Sequence, residues 1–158
     1  MIQLVLHSPE IPQNTGSIAR LCAATDTPLH LIEPLGFKLT DRYLKRAGLD
    51  YWPHVKLSVW PGWNEFLEGA SPGRLVFTSS GNRGILGTQY HQFRYTPDDS
   101  IVLGSESTGL PEELLEGQAD IVRIPIWGCV RSLNIANAAS ILLYEALRAT
   151  SGLPGCTA

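Results

Sequence analysis

The chain has 158 residues, with 12 Lys and Arg against 15 Asp and Glu and a formal net charge of −3. This length suits one domain, residues 1–158, and a composition with 44% hydrophobic and 17% charged residues excludes a disordered, highly charged chain. No apolar run reaches the ~18 residues of a membrane helix, and no signal peptide is recognised. Three cysteines without a C-x-x-C pair predict reduced thiols and no metal site. We therefore expect a cytoplasmic protein that has no membrane partner.

Six short runs rich in Val, Ile and Leu predict β-strands. The runs are continuous rather than alternating, which is typical of parallel strands covered on both faces. Polar or helix-like stretches separate them, so the pattern indicates an α/β fold in which helical layers enclose a parallel sheet. The runs lie at residues 2–6, 29–33, 55–59, 74–78, 101–104 and 121–126.

Helices are expected between these strands. Asn14 and Ser132 are predicted N-caps because Asn and Ser are favoured at that position. The longest helix, the last, carries a wide apolar face. The expected helices cover about 15–26, 41–47, a stretch from Pro61, a stretch from Pro111, and 132–149.

Common nucleotide-binding and hydrolase motifs are missing from the chain. There is no G-x-G-x-x-G after the first strand, no G-x-x-x-x-G-K-[ST], no G-x-S-x-G and no H-E-x-x-H. The four histidines are scattered along the sequence. The first two absences argue against a dehydrogenase or a P-loop enzyme.

Three other segments stand out. Asn14–Arg20 begins a helix, whereas Ile101–Pro111 and Ile124–Ala138 each run from a strand through a polar loop to a helix. Ligands in α/β sheets bind at the carboxyl ends of strands, so both loops are well placed for a site. Plain capped helices and ordinary turns remain alternatives. Asn134 and Asn137 are poor helix formers, which suggests that function selects them.

The three segments resemble the motifs of the SPOUT superfamily of RNA methyltransferases. The motifs are N-x-G-x-x-x-R (Asn14 to Arg20), G-x-E-x-x-G-L-P (Gly104 to Pro111) and I-P…S-L-N…Y-E (Ile124 to Glu145). Residues 32–37 and 46–51 resemble the minimal, TrmL-type branch, the tRNA (cytidine/uridine-34)-2′-O-methyltransferases. The likeness extends to about residue 154.

This resemblance implies a deep C-terminal trefoil knot, the SPOUT or alpha/beta knot, with a knotted cofactor-binding region at about 75–150. It implies S-adenosylmethionine as the cofactor, S-adenosylhomocysteine as the product, and a homodimer that shares its substrate site. Carried over by position, the cofactor-binding residues are Thr78, Gly104, Ile124, Ser132 and Leu133.

The implied reaction is 2′-O-methylation of cytidine or uridine 34 in the anticodon loop of tRNA, with leucine tRNA as the expected substrate. The catalytic residues are expected to be Arg20, Glu106, Asn14 and Asn134. Arg20 is regarded as the base in related enzymes, but a guanidinium stays protonated in proteins, which favours a phosphate clamp. Glu106 is a candidate proton acceptor or orienting group, and pairing with Arg131 is its structural alternative.

The anticodon stem-loop needs basic partners. Residues 98–120 carry seven acidic and no basic residues, so the rest of the chain sums to +4. On a helix Arg42, Lys45 and Arg46 share one face, which predicts RNA binding together with Arg131; a solvated face is the alternative. Aromatic side chains are expected to stack on bases or to lie at the dimer interface: Tyr51, Trp52 and Trp127.

Two further functions stay open from the sequence. One is a SPOUT 2′-O-methyltransferase acting on another tRNA position or on rRNA. The other is an RNA-binding module without catalysis, which would bind RNA but transfer no methyl group.

Overall fold

The computed structural model describes residues 1–40, 51–81 and 84–154. Its strands are β1 Gln3–His7, β2 Leu29–Ile32, β3 Leu57–Trp60, β4 Leu75–Thr78, β5 Thr88–Gln89, β6 Ser100–Leu103 and β7 Ile121–Arg123. All pairings between them are parallel, and the order across the sheet is β3-β2-β1-β6-β4-β7-β5. The predicted parallel sheet is confirmed.

Every predicted strand is present, with shifted ends, and one strand was missed. β5 holds only Thr88 and Gln89, whose side chains form no apolar run that the sequence pattern could reveal. It pairs with β7 at the sheet edge, Thr88 opposite Val122. Pairing with β7, rather than the β-propensity of its own residues, therefore accounts for β5.

Four helices and one short 3-10 turn connect the strands in the described part of the chain. None of these helices has the length and apolar character needed to cross a membrane. The predicted helix at 41–47 lies outside the described residues. The helices are α1 Pro12–Thr25, α2 Trp63–Ala70, α3 Glu112–Leu115 and α4 Ile135–Ala149, and the 3-10 turn is Trp52–His54.

Both predicted N-caps are wrong. α1 begins at Pro12, and Asn14 therefore lies inside the helix. Proline is favoured in the first turn because the backbone N–H that it lacks has no hydrogen-bond partner within the helix at that position. α4 begins at Ile135 and is capped by Asn134 instead of Ser132. Asn134 Oδ1 accepts from the amide of Ala136 at 2.9 Å. Asn14, which does not cap a helix, hydrogen-bonds with Glu106 and Asn134 instead, and Ser132 lies in the loop before α4.

The sheet is buried on both faces, as continuous apolar strands require. Successive residues of a strand point to opposite faces, so Leu4 and Leu6 join one core and Val5 the other. The first core is closed by α1 and α4, and the second by Phe66 of α2 and Leu115 of α3. In the part of the chain that the structure describes, helices thus cover both faces of the sheet, so we expect a ligand site at one of its two ends.

A polar chain crosses four neighbouring strands of the sheet. Trp60 Nε1 donates to His30 Nδ1 at 3.0 Å. Because an indole nitrogen only donates, His30 Nε2 carries the hydrogen and donates to Gln3 Oε1 at 2.7 Å. Gln3 Nε2 in turn donates to Ser100 Oγ at 2.9 Å. Burial lowers the pKa of His30, which favours this neutral, structural state.

A buried ion pair closes the amino ends of β4, β6 and β7. Arg74 and Asp99 directly precede β4 and β6, and Asp99 is fully buried. The guanidinium donates to both carboxylate oxygens of Asp99 at 2.9 Å and to Asp120, just before β7, at 3.3 Å. Thr96 adds its amide and hydroxyl as donors to Asp99. One arginine therefore ties together three strand starts.

Replacing Arg74 with Ala should lower the free energy of unfolding by about 3–5 kcal/mol, because the buried Asp99 loses its counter-charge. Urea denaturation at neutral pH measures the change. The control is Lys56→Ala, which removes the exposed pair with Asp26 and should cost about 1 kcal/mol or less. Equal losses in the two variants would contradict the assigned role of Arg74.

Candidate active site

A cavity of about 740 Å³ opens at the carboxyl ends of β4, β6 and β7. Three chain segments that follow these strands form its walls, residues 78–80, 103–110 and 131–135. Its volume lies within the ~300–1,000 Å³ of small-molecule sites. The cavity is thus located where the sheet topology predicts ligand binding.

The structure gathers most of the predicted site residues around this cavity. All five residues expected to bind cofactor line it: Thr78, Gly104, Ile124, Ser132 and Leu133. So do three of the four predicted catalytic residues, Asn14, Glu106 and Asn134. Arg131, predicted to bind RNA, is exposed and also lines the cavity. Segments far apart in sequence therefore build one site.

Gly104 lets the loop after β6 fold back against its own strand. A Cβ atom at Gly104 would overlap the backbone of Gly109 and Leu110. The fold-back is completed by Ser105 and Gly109, which exchange backbone hydrogen bonds of 3.2 and 2.9 Å. The loop is therefore a compact turn whose shape requires a residue without a side chain at position 104.

Two glutamates hold this loop against the start of α1, and we call Glu10, Glu106 and their donors the carboxylate clasp. Glu106 Oε2 accepts from the amide of Glu10 at 2.8 Å. Its Oε1 accepts from the amide of Ile11 at 3.2 Å and from Asn14 Nδ2 at 3.0 Å. In return Glu10 accepts from the amide and hydroxyl of Ser107 at 3.0 and 2.7 Å. Each carboxylate thus fixes the other's loop.

The asparagines extend the clasp to α4. Asn134 Nδ2 donates to Asn14 Oδ1 at 2.9 Å, and Asn14 Nδ2 donates to Glu106. This chain of donors links all three motif segments. The argument that Asn134 is disfavoured where it stands is wrong, because it is the N-cap of α4, a position that favours Asn.

Glu10 is a functional candidate that sequence reasoning missed, since nothing in the loop at residues 8–13 marks its partner far along the chain. Its backbone is held by the stretch at 32–37, which the sequence singled out only by resemblance. The amide of Gly36 donates to the carbonyl of Pro9 at 2.9 Å. A Cβ atom at Gly36 would lie 2.6 Å from the Glu10 carbonyl oxygen.

Arg20 is not among the residues that line the cavity. It is exposed on α1, and its guanidinium carbon lies 4.8 Å from the centre of the Tyr51 ring. The Tyr51 hydroxyl donates to the carbonyl of Gly16 at 2.7 Å. Burial raises the pKa of Tyr51, and Arg20 opposes that rise. The predicted RNA-binding residues Arg42, Lys45 and Arg46 lie outside the described residues.

An exposed aromatic residue directly follows Ile126, which lines the cavity. Trp127, in the loop between β7 and α4, is 92% exposed, and Val130 nearby is 62% exposed. Within the described ranges, no three His, Cys, Asp or Glu side chains are grouped so as to hold a metal ion. The cavity therefore presents hydroxyl, amide and apolar groups with two charged side chains, Glu106 and Arg131.

Comparison with known proteins identifies the class. The sequence profile of the SpoU rRNA Methylase family matches residues 1–144, and the chain belongs to this family. A structure of the SpoU methyltransferase AviRb from Streptomyces viridochromogenes in complex with the cofactor AdoMet is 26% identical, with a TM-score of 0.78. The match covers 94% of this chain and 59% of AviRb.

Closer relatives share a narrower activity. The tRNA (cytidine(34)-2′-O)-methyltransferase of Saccharophagus degradans is 44% identical over 151 residues, which cover 94% of this chain and 95% of the relative. A structure solved to study 2-OH methylation of C/U34 on tRNA is 45% identical, with a TM-score of 0.87 and coverage of 97% of this chain and 98% of that one. The predicted family and its TrmL-type branch are confirmed.

Replacing Glu106 with Gln should weaken binding of S-adenosylmethionine, the ligand in the AviRb complex, about tenfold or more, because charged hydrogen bonds contribute ~1.5–3 kcal/mol each. The glutamine would also turn one of the two accepting oxygens into an NH2 group, which would face either the amide of Glu10 or the two donors Ile11 N and Asn14 Nδ2. Isothermal titration calorimetry measures the Kd.

The matched control is Glu113→Gln, which changes an exposed carboxylate on α3 and should leave the Kd unchanged. A Glu106→Gln protein with a wild-type Kd but no turnover would contradict the positioning role and favour a proton acceptor.

Proposed function

We propose that this protein transfers the methyl group of S-adenosylmethionine to the 2′-oxygen of cytidine or uridine 34 in the anticodon loop of tRNA. The carbon–sulfur bond breaks as the carbon–oxygen bond forms, which leaves S-adenosylhomocysteine and releases the proton of the 2′-hydroxyl. The observation that carries the proposal is the cavity at the ends of β4, β6 and β7, lined by all five expected cofactor residues. The whole-chain likeness to proteins acting on nucleotide 34 supports this substrate over rRNA.

The cavity suits the cofactor chemically. Apolar side chains of Leu103, Ile124 and Leu142 offer a surface for an adenine ring, and the hydroxyl-rich loop at 105–108 offers polar contacts for the remainder. Thr78 Oγ1 donates to the carbonyl of Val102 at 2.9 Å and thereby holds one wall in place. When bound, the cofactor supplies an activated methyl group on a sulfonium that leaves readily.

The protein's own residues then have to orient the ribose. The attacking oxygen must lie at roughly 3–3.5 Å from the methyl carbon. Arg20, which stays protonated, is proposed to hold an adjoining phosphate through two parallel N–H donors. Glu106 orients the loops, since both of its oxygens already accept donors, and Asn14 and Asn134 transmit that order to α4.

A homodimer would complete the site. Arg20 is exposed and stands outside the cavity of its own chain. Tyr144 on α4 is 48% exposed and Ile11 is 42% exposed, so apolar surface is present on both helices that border the cavity. We therefore propose that two subunits share the substrate site, each bringing its Arg20 to the other's cavity.

Replacing Arg20 with Ala should lower methyl transfer about 100-fold while the Kd for S-adenosylmethionine stays at the wild-type value, since a lost bidentate contact of ~3 kcal/mol corresponds to that factor. The assay follows tritium from the cofactor into a tRNA transcript. Turnover near wild type in Arg20→Ala would overturn the assignment of Arg20.

The net negative charge of the chain is compatible with RNA binding. At least four of the seven acidic residues at 98–120 are paired with groups of the same chain. Asp98 pairs with the N-terminus, Asp99 and Asp120 with Arg74, and Glu106 belongs to the clasp. We propose that Arg42, Lys45 and Arg46, together with Arg131 at the cavity, bind the anticodon stem-loop.

The double change Lys45→Glu and Arg46→Glu should weaken tRNA binding and flatten its dependence on log salt by about 1.5, because each phosphate contact contributes ~0.7–0.9 to that slope. Filter binding over a salt series measures both. The control is Lys56→Glu. Lys56 pairs with Asp26 and directly precedes β3, at the end of the sheet that lies away from the cavity. An unchanged slope in the double variant would refute the contact.

The knot and the domain count are further proposals. β7 lies between β4 and β5 in the sheet, although both of these strands precede it in the chain. The C-terminal segment that contains β7 and α4 is therefore inserted between two earlier strands. This insertion supports a trefoil knot within about 75–150 and one domain over 1–158. We further propose leucine tRNA as the substrate and, because tRNA is found there, the cytoplasm as the location.

A further inference from the structure

Tyr51 contacts α1 at two points that lie one helical turn apart. Its hydroxyl donates to the carbonyl of Gly16 at 2.7 Å, and its ring face lies against the guanidinium of Arg20, 4.8 Å from the ring centre. Gly16 is buried, whereas Arg20 is exposed. The tyrosine therefore connects the buried backbone of α1 at Gly16 with the exposed side chain of Arg20.

The Tyr51 ring is itself held firmly. It is half-buried and packs against the core that α1 and α4 enclose. It directly precedes the 3-10 turn, and its carbonyl accepts from the amide of His54 at 2.8 Å. A ring fixed at its hydroxyl, its face and its backbone is a rigid platform.

A guanidinium binds an aromatic face and a phosphate through different parts of the group. Stacking uses the flat face of the cation, whereas a phosphate is bound through N–H groups in its plane. The two contacts can therefore be made together. An arginine already stacked loses less rotamer freedom when a phosphate binds, which is the general advantage of preorganisation.

We propose that Tyr51 is a positioning residue that presents Arg20 to the RNA phosphate. The inference rests on the proposed function, because it assumes that Arg20 contacts the substrate. In this role Tyr51 touches neither cofactor nor ribose, and it acts on the rate of methyl transfer only through the guanidinium.

The test is a double-mutant cycle on single-turnover methyl transfer, with S-adenosylmethionine binding measured alongside. Tyr51→Leu should slow transfer about tenfold and leave the cofactor Kd unchanged. Tyr51→Phe keeps the ring face but loses the hydroxyl contacts with Gly16 and Arg20, so its rate should lie between those of Tyr51→Leu and wild type. In the Arg20→Ala background, Tyr51→Leu should cost less than about twofold more, because the group it positions is gone.

The control is Tyr90→Leu, which removes another half-buried tyrosine packed on the same core and should leave the transfer rate unchanged. A full additional tenfold loss in the Arg20→Ala background would overturn the inference, as would a weakened cofactor Kd in Tyr51→Leu. If Arg20→Ala alone transfers methyl at the wild-type rate, the proposed role of Arg20 fails first, so the two failures are told apart.

Discussion

The carboxylate of Glu106 is the interaction on which the architecture of the site depends. It accepts hydrogen bonds from two backbone amides and one side-chain amide at the start of α1, where a helix favours negative charge. Through Asn14 the same network reaches Asn134 and the start of α4. The loops after β1, β6 and β7 would otherwise be independent, and the clasp joins them into one wall of the cavity.

The two ends of the sheet are used differently. At the amino ends, Arg74 and the buried Asp99 join three strands with charged hydrogen bonds, which closes that side. At the carboxyl ends the polar groups bind the loops to one another, and the cavity lies beside these joined loops. Much of the acidic segment at 98–120 serves one or the other purpose, so net charge is a poor guide to the surface that a partner meets.

Local patterns in the sequence predicted six of the seven described strands, the last helix and the two loops after β6 and β7 that line the cavity, because apolar runs and helical periodicity involve neighbouring residues. They failed at the caps, where Pro12 and Asn134 prevail over Asn14 and Ser132. Glu10 and Glu106 meet across 96 residues, and Tyr51 reaches Gly16 across 35. Such pairs form because the strand order of the sheet brings distant segments together, and that order cannot be read from patterns among neighbouring residues.

The central claim is that this cavity directs a methyl group to one ribose oxygen. Incubating tRNA with the protein and S-adenosylmethionine carrying a deuterated methyl group, followed by nuclease digestion and mass spectrometry, tests it most directly. The account predicts label on the 2′-oxygen of nucleotide 34, with none on any base. Label at another nucleotide or on a base, or none despite cofactor binding, would contradict it.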